Sequence, residues 1–482
     1  MRPALLWFRC DLRLHDNPAL QWACESERPV AALYVLDEDS PGVRPLGGAA
    51  RWWLAQSLRS LAADLAVRGI PLLVRSGPAT DHVPAVARDL KAERVALNSR
   101  PGAAEARVDE AVARALEQAG VAVKRFNGHL LHKPGAIQTL AGGLPRTFSS
   151  FHRAARKAAA PRPPAPIPPG LSGPGTTLGD ALNPWIAQVG LEPVAPDWSG
   201  GLRAAWTCGE AAARARLADF VAGGLRGYAQ GRDCPAARHV SRLSPHLAFG
   251  EVSPNQVLAS ARDAADAGMV PQRDAEKFEA ELYWREFSHH LLEAEPDLRS
   301  RNLQSRFDAF PWRECPGELK AWRHGRTGYP LVDAGMRELW QTGWMHNRVR
   351  MVAASFLAKH LLLDWRDGES WFWDTLVDAD PANNAASWQW VAGTGADAAP
   401  YFRVFNPVLQ GEKFDPDGAY VRAFVPELAK LPAAVLHKPW TADKATLDRA
   451  GVRLGVTYPR PIVDHDAARE RALRAFDHVK GN

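Results

Sequence analysis

Long apolar runs are missing from this sequence of 482 residues. No uninterrupted apolar stretch approaches the roughly 18 residues of a membrane-spanning helix. The apolar start of the chain is broken by Arg9 and Asp11, which is unlike a signal peptide. The pattern therefore predicts a cytoplasmic protein with no membrane partner.

Cysteine is scarce as well. The cysteines are odd in number and form no Cys-x-x-Cys pair: they are Cys10, Cys24, Cys208, Cys234 and Cys315. This spacing argues against a disulfide scaffold and a zinc site, and we predict no metal site. The Gly-x-Gly-x-x-Gly fingerprint of dinucleotide-binding domains does not follow the first predicted strand.

The charge balance is modest, with a net charge of +5 at pH 7 and a pI of about 9.0. Such a charge permits nucleic-acid binding without requiring it. The basic residues are mostly arginine, which suits bidentate contacts with phosphate or carboxylate groups. A chain of this length is expected to form two or three domains.

Short apolar runs alternate with amphipathic stretches in the first 131 residues. The strand-like runs occupy 4–8, 30–36, 71–74, 94–98 and 121–126, and the helical patterns occupy 47–68, 81–91 and 103–119. Continuous apolar strands are typical of a parallel sheet covered on both faces. Residues 1–131 are therefore predicted to form a doubly wound, five-stranded parallel sheet domain.

Proline and glycine are concentrated within 160–200, where the run PRPPAPIPPGLSGPG is not expected to form a packed element. We predict a long interdomain linker over 132–205. Beyond it strand signals disappear, and residues 206–482 are predicted to form an all-α domain. Its helical patterns occupy 210–223, 254–267, 274–293, 332–342, 344–363 and 466–479.

Tryptophan is abundant, with 18 residues of which four precede position 180. Residues 378–403 combine acids, adjacent amides and indoles: Asp378, Asp380, Asn383, Asn384, Trp388 and Trp390. Paired indoles beside amides are typical of a cavity for a flat ligand. A buried helix end with tryptophan in the core fits this window equally well.

Two other segments carry polar and aromatic residues on one helical face. The first has Phe278, Glu281, Trp284 and Arg285 at i, i+3, i+6 and i+7, and the second repeats the spacing with Trp344, Asn347, Arg348 and Met351. Such a face suits a polar ligand, although a surface pair of Glu281 and Arg285 over a packed Trp284 is an alternative. The hydroxyls of Ser241 and Ser244, ahead of a helix, suit either a diphosphate or an ordinary N-cap.

Long motifs in these segments resemble one family. They are LLWFRCDLRLHDNPAL (5–20), YAQGRD (228–233), SRLSPHLAFGEVSP (241–254), ELYWREF (281–287), GRTGYPLVDAGMRELWQTGWMHNRVRM (325–351), LLLDWRDGE (361–369) and NNAASWQWVAGTGADAAPYFRVFNP (383–407). The residues of these motifs, and the order of the motifs along the chain, resemble the DNA photolyase/cryptochrome family, and most of all the bacterial cyclobutane pyrimidine dimer photolyases. The resemblance covers almost the whole chain.

The resemblance implies that FAD binds in the helical domain. The flavin-binding residues that it implies are Tyr228, Ser241, Arg242, Leu243, Ser244, Phe278, Arg285, Trp344, Asn347, Arg350, Asp378, Asp380 and Asn384. Among them, Asn384 matches the position whose amide faces flavin N5, where a carbonyl oxygen stabilises a protonated N5. The matching electron path from the flavin to the surface is Trp388, Trp365 and Trp312.

The resemblance also implies a lesion site beside the flavin. Its implied contacts with the pyrimidine dimer are Glu281, Trp284, Asn347, Met351 and Trp390, with Glu281 hydrogen-bonding the pyrimidine edge, and the implied phosphate contacts are Arg232, Arg348 and Arg403. Three positions depart from the family pattern, namely Val240, Ala386 and Phe278. The antenna pocket matches the folate-binding members only through Glu105, since Ala104 stands where they carry asparagine. Methenyltetrahydrofolate is favoured there, with a deazaflavin, a flavin nucleotide or an empty pocket as alternatives.

The activity implied is light-driven repair of cyclobutane pyrimidine dimers in DNA by a monomeric enzyme. Excited reduced FAD would pass an electron to a flipped-out dimer, and the electron would return after the ring opens. A cryptochrome-type blue-light receptor and a (6-4) photolyase are the alternatives within the family. A nucleotide-binding α/β domain fused to an arginine-rich nucleic-acid module without redox chemistry is the alternative outside it.

Overall fold

The computed structural model describes residues 2–25, 27–139, 142–175, 179–397 and 402–480. The predicted motif at 383–407 thus includes four residues, 398–401, that lie outside the described ranges. The elements of the first part are β1 (Ala4–Phe8), α1 (Pro18–Ala23), β2 (Val30–Leu36), α2 (Gly48–Ala66), β3 (Leu72–Ser76), α3 (Ala79–Asp89), β4 (Arg94–Asn98), α4 (Ala103–Gln118) and β5 (Ala122–Phe126).

The five strands form one parallel sheet in the order β3-β2-β1-β4-β5. The apolar runs that predicted the strands become a buried core, in which β1 and β2 have no exposed residue. Strand β5 differs from the expectation of full coverage, because it lies at the edge and most of its residues are exposed. The predicted doubly wound five-stranded parallel sheet is confirmed.

The segment between the sheet and the later helices contains α5 (Phe148–Ala155), α6 (Leu182–Gln188) and α7 (Gly200–Ala205). Helix α6 lies inside the predicted linker 132–205 but beyond the run PRPPAPIPPGLSGPG, and its Trp185 and Ile186 are buried. The run itself is not expected to form a packed element, and its residues 161–168 have no regular secondary structure. Two buried apolar residues are enough to anchor α6, and the proline content of the neighbouring run masked that signal.

The regular elements of the remaining described residues are helices, as predicted. The α-helices are α8 (Glu210–Asp219), α9 (Tyr228–Gly231), α10 (Ser244–Ala248), α11 (Pro254–Asp266), α12 (Gln272–Ala294), α13 (Pro316–Arg323), α14 (Pro330–Thr342), α15 (Asn347–Ser355), α16 (Trp365–Thr375), α17 (Pro381–Ala392), α18 (Pro407–Phe414), α19 (Ala419–Phe424), α20 (Ala433–Leu436), α21 (Lys444–Ala450) and α22 (His465–Lys480). The π-helical segments Phe220–Gly224 and Phe356–His360 extend α8 and α15. Short 3₁₀ helices occur at Ser305–Ala309, Pro426–Leu428 and Pro439–Thr441.

Contacts divide the chain into two compact units. The first comprises Met1–Arg226, Ser241–Pro296 and Val377–Ala382, and the second comprises Gly227–Val240, Asp297–Leu376 and Asn383–Asn482. These units group the residues differently from the predicted domains 1–131 and 206–482, whose boundaries stay predictions. Within the described ranges, no helix is both long and apolar enough to cross a membrane.

Candidate functional site

Helix α12 of the first unit carries an arginine that is partly buried in a polar cluster. Arg285 donates from Nη1 to the backbone oxygen of His129 at 2.9 Å, and its Nη2 lies 2.6 Å from Nε2 of the same histidine. Its Nη1 also lies 3.5 Å from the carboxylate of Glu286. In place of a surface pair with Glu281, Arg285 therefore has two buried partners, His129 from a distant part of the chain and the neighbouring Glu286.

Asp380 lies in the same cluster. Its Oδ2 is 3.2 Å from Nε2 of His289, whose ring meets that of His129 edge-on at 5.3 Å. Burial alone would raise the pKa of Asp380, but the nearby His289, Arg285 and His129 outweigh it and hold that pKa below its usual range. Burial, together with Arg285, lowers the pKa of His129, so this imidazole is neutral at pH 7.

The two histidines and Asp380 also have the spacing of a metal-ligand set. One ligand atom from each lies within 4.8 Å of the others, and all three residues are buried. The guanidinium of Arg285, 2.6 Å from His129 Nε2, occupies one of the nitrogen lone pairs that a metal would need. A second cation beside it is electrostatically disfavoured, so we interpret the cluster as a polar binding surface.

The outer part of α12 holds two of the five predicted lesion contacts. Glu281 pairs with Lys277 at 3.0 Å, one helical turn earlier. Trp284 is half-buried and stacks on Phe148, with ring centroids 3.8 Å apart and planes inclined by 7°. Deeper in the unit, Phe278 is buried and packs against Phe220, so this departure from the family pattern fills core volume here.

The predicted diphosphate loop also belongs to the first unit. Arg242 has a positive φ of 52°, and its guanidinium lies 4.6 Å from the ring of Trp206. The Ser241 hydroxyl accepts from the backbone N–H of Leu243 at 3.4 Å, and Ser244 begins α10. Asp378, which precedes α17, is buried.

In the second unit, the amide of Asn384 has a fixed orientation. Its Nδ2 donates to the backbone oxygen of Glu369 at 3.0 Å and to Oε1 of the same residue at 2.9 Å. A carboxylate accepts hydrogen bonds and does not donate them, so the NH₂ group must face Glu369. The carbonyl oxygen of Asn384 is consequently directed away from Glu369, as a role beside flavin N5 requires.

The three tryptophans of the implied electron path have different environments. Trp388 is buried against Phe372 and Trp322, and Gly368 permits this packing because an ideal Cβ there would lie 2.1 Å from the indole. Trp365 is fully buried and donates from Nε1 to Asn302 at 3.0 Å. Trp312 is half-buried on Phe310 at 4.4 Å. Among the described ring contacts none joins the three to one another, so the path stays a prediction.

The three arginines predicted to contact phosphate, all in the second unit, differ in their partners and in their exposure. Arg348 pairs with Asp233 at 2.7 Å and lies 4.5 Å from the ring of Phe414. Arg232 lies 5.5 Å from the ring of Tyr228. The third, Arg403, is exposed, with its guanidinium 4.9 Å from the ring of Phe405.

Helix α15 presents part of the second predicted stripe. Asn347 is exposed at its first residue, and its amide nitrogen lies 3.9 Å from the sulfur of Met351, one turn later. Arg350 donates to the backbone oxygen of Met345 at 2.7 Å, and its guanidinium lies 5.8 Å from Trp344. Trp390 is half-buried on α17.

In the first unit, Glu105 lies in the first turn of α4 with its carboxylate beside Gly102.

Comparison with known proteins identifies the family. Residues 4–169 match the family model described as DNA photolyase, and residues 278–478 match the FAD binding domain of DNA photolyase. The chain is 49% identical over 479 residues, 99% of its length, to a deoxyribodipyrimidine photo-lyase of Agrobacterium fabrum, of which it covers 98%. The chain belongs to the DNA photolyase/cryptochrome family.

Other members of this family are also similar. A crystal structure of a bacterial class III photolyase from Agrobacterium tumefaciens superposes with a TM-score of 0.95 at 48% identity, covering all of this chain and 98% of that one. Cryptochrome-2 of Arabidopsis thaliana is 37% identical over 99% of this chain and 79% of its own length. The prediction of a photolyase with FAD as its cofactor is confirmed, and the cryptochromes are more distant.

The polar cluster around Asp380 and, separately, the oriented amide of Asn384 are of the chemical kind that FAD needs, since this cofactor requires hydrogen-bonding partners inside a protein. Asp380 is kept ionised by its cationic neighbours, and Asn384 offers a directed carbonyl oxygen.

Reasoning from residue patterns missed several partners that determine this chemistry. His129 gave no signal, and the pairing of His289 with Asp380 was not predicted, because these partners are distant in sequence. Glu369 could have been found, since it ends the LLLDWRDGE motif that carries part of the resemblance.

Proposed function

We propose that this protein is a light-driven lyase that repairs cyclobutane pyrimidine dimers in DNA. The observation that carries the proposal is the 49% identity, over 99% of the chain, to a relative named deoxyribodipyrimidine photo-lyase. The chain also has an acid and an indole, Glu281 and Trp284, three residues apart on the half-buried outer face of α12.

The residues that would hold FAD come first in the mechanism. The residues proposed to bind FAD are Tyr228, Ser241, Arg242, Leu243, Ser244, Phe278, Arg285, Trp344, Asn347, Arg350, Asp378, Asp380 and Asn384. When bound and reduced, FAD supplies the light-excited electron for the cleavage. Glu369 holds the Asn384 amide through its nitrogen, so the carbonyl oxygen of Asn384 would be available to accept a hydrogen bond from N5 of a bound flavin. Near pH 7 His129 is neutral and Asp380 is ionised, because the pKa of each lies below its usual value, so neither group changes its charge in this range.

The lesion contacts follow from the same assignment. Glu281 hydrogen-bonds the edge of the flipped-out dimer and stabilises the charge that develops on it. Trp284 and Trp390 provide apolar walls, while Asn347 and Met351 contact the dimer from α15. Flipping costs less for a dimer than for a normal base pair, because the dimer is already poorly stacked, and this difference contributes to selectivity.

Arg232, Arg348 and Arg403 are proposed to contact the DNA backbone. Phosphate contacts fix the register of the duplex without reading its sequence, which suits an enzyme that recognises damage in any context. We further propose that the enzyme acts as a monomer in the cytoplasm. Glu105 is proposed to contribute to an antenna site, with methenyltetrahydrofolate as the favoured chromophore.

A blue-light receptor is the second candidate, because Cryptochrome-2 of Arabidopsis thaliana is 37% identical over 99% of this chain. Such a receptor would bind FAD and respond to light without opening dimers. The two candidates therefore differ in one measurable outcome, the loss of dimers under illumination.

The test combines an absorption spectrum of the purified holoprotein with a repair assay. The assay uses an oligonucleotide containing one thymine dimer and chemically reduced enzyme, with a dark sample as the control. Flavin bands with light-dependent loss of dimers support the lyase. Flavin bands without repair favour the receptor, or the (6-4) lesion as the next substrate to test. An additional near-UV or violet band would report an antenna chromophore.

A further inference from the structure

We propose that Phe148 is a positioning residue for dimer recognition, because it forms the fixed platform against which Trp284 is stacked. This inference rests on the proposed function, in which Trp284 is one wall of the lesion site. Phe148 begins α5, in a segment that the sequence predicted to be a linker, so the inferred role belongs to an element outside the predicted helical domain.

The contact between the two rings is unusually complete. The centroids of Phe148 and Trp284 lie 3.8 Å apart and the planes are inclined by 7°, so the phenyl ring covers one face of the indole. Aromatic pairs in proteins more often have centroids about 4.5–7 Å apart with an offset or edge-on arrangement. Phe287 lies edge-on to both rings, at 6.2 Å from Phe148 and 6.0 Å from Trp284. The indole therefore has one covered face, one supported edge and a half-exposed remainder.

The platform is itself anchored to α12. Thr147 caps α5 by accepting from the backbone N–H of Ser150 at 3.4 Å. One turn into the helix, Phe151 is buried and packs against Phe287 at 5.4 Å and His290 at 5.2 Å. These contacts hold α5 on α12 independently of Phe148, so Phe148 can be changed while the helix stays docked.

A rigid wall has a direct consequence for binding. A half-exposed tryptophan that is free to change rotamer would lose conformational entropy each time a dimer stacked on it. Stacking on Phe148 restrains Trp284 before the dimer arrives, so this cost is met during folding. The platform should thus affect the binding of the dimer, while the photochemistry that follows depends on groups that Phe148 does not touch.

The test compares Phe148→Leu and Phe148→Tyr in the reduced holoenzyme. Dissociation constants for dimer-containing and undamaged duplexes are measured in the dark, and repair is measured under light at saturating DNA. We expect Phe148→Leu to weaken dimer binding roughly three- to tenfold, which corresponds to the loss of one aromatic stacking pair. Binding to undamaged DNA and repair at saturation should stay within twofold of wild type, and Phe148→Tyr should restore dimer binding.

Phe151→Leu is the matched control, because it removes an aromatic ring from the same helix without touching Trp284. It is expected to lower the melting temperature and leave discrimination between dimer and undamaged DNA intact. If it does not fold, the comparison of Leu with Tyr at position 148 still decides the question. Unchanged dimer affinity in Phe148→Leu would overturn the proposal, as would tighter binding, which would mean that Phe148 covers the face that the dimer needs. Absence of repair by the wild type would instead refute the proposed function itself.

Discussion

At the scale of single residues, the amide of Asn384 can present either its oxygen or its nitrogen to a ligand, and Glu369 selects the oxygen. Replacing Glu369 by Ala removes one of two acceptors, whereas Gln keeps a carbonyl acceptor while also removing the charge. We predict that the flavin midpoint potential is lower in Glu369→Ala than in Glu369→Gln. A lost hydrogen bond of about 1 kcal/mol corresponds to roughly 20 mV for a two-electron couple.

The measurement is a redox titration followed by flavin absorbance. Because both variants lack the carboxylate, the difference between them isolates the orientation of the amide from the change in charge. Asn384→Ala should show no such difference between Ala and Gln at position 369. Equal potentials in the two Glu369 variants with Asn384 present would contradict the assigned role.

The two arginines Arg348 and Arg403 give a second prediction at this scale. Each phosphate neutralised by a free cation contributes about 0.9 to the slope of log affinity against log salt concentration. Arg403→Gln should therefore reduce the slope by about that amount. Arg348 is paired with Asp233 at 2.7 Å, so a phosphate must displace or share this partner, and Arg348→Gln should reduce the slope by less.

Binding of a dimer-containing duplex at several salt concentrations gives both slopes. Thermal denaturation of each variant serves as the control for folding. Identical reductions for the two variants would mean that the pair with Asp233 opens at no cost when DNA binds.

At the scale of elements, the π-helical segment Phe356–His360 contains a buried lysine. Lys359 donates to the backbone oxygen of Arg403 and lies 4.4 Å from the ring of Phe402. Burial, aided by Arg403, lowers the pKa of Lys359 to about 7. The unfolded chain, with a lysine pKa of about 10.5, binds more protons between pH 7 and pH 10.5, so this group makes the fold more stable as the pH rises through that window.

The prediction compares wild type with Lys359→Met by urea denaturation at several pH values. The difference in unfolding free energy should change in favour of wild type between pH 7 and pH 10, by at most about 4 kcal/mol. Below pH 7 the difference should be constant with respect to this group. A difference that does not vary between pH 7 and pH 10 would show that the amine stays charged in the folded protein.

Elements also show what sequence patterns could predict. Strands β1, β2 and β4 have their predicted bounds. A continuous run of apolar residues is typical of a strand that is buried on both faces of a parallel sheet, so the run marks where the strand begins and ends. Helix α6 was missed because its burial depends on two residues, Trp185 and Ile186, in a proline-rich region. The predicted helix 344–363 proved to be α15 followed by a π-helical segment, a change in hydrogen bonding that side-chain periodicity does not register.

At the scale of the whole molecule, the candidate site could be predicted only through the family motifs. The cluster around Arg285 uses residues from three distant stretches of the chain, at 129, 285–289 and 380, and no local spacing connects them. The same holds for Glu369 and Asn384, which lie on different helices. Motifs named the residues, whereas the partners that set charge and orientation follow from tertiary packing.

A change at Trp312 should separate photoreduction of the oxidised flavin from the repair of DNA by enzyme that is already reduced. Trp312 is half-buried at the end of the proposed tryptophan path, and Trp312→Phe keeps an aromatic ring beside Phe310 while removing the readily oxidised indole. Photoreduction of the oxidised flavin by an external donor should be strongly impaired, because the outermost indole is lost. Chemically reduced enzyme should repair dimers at the wild-type rate, since no electron then has to enter from the surface. Trp198→Phe, at an exposed tryptophan outside the proposed path, is the control and should affect neither reaction. Loss of repair in the pre-reduced Trp312 variant would show that this residue acts in the cleavage itself, and normal photoreduction would exclude it from the electron path.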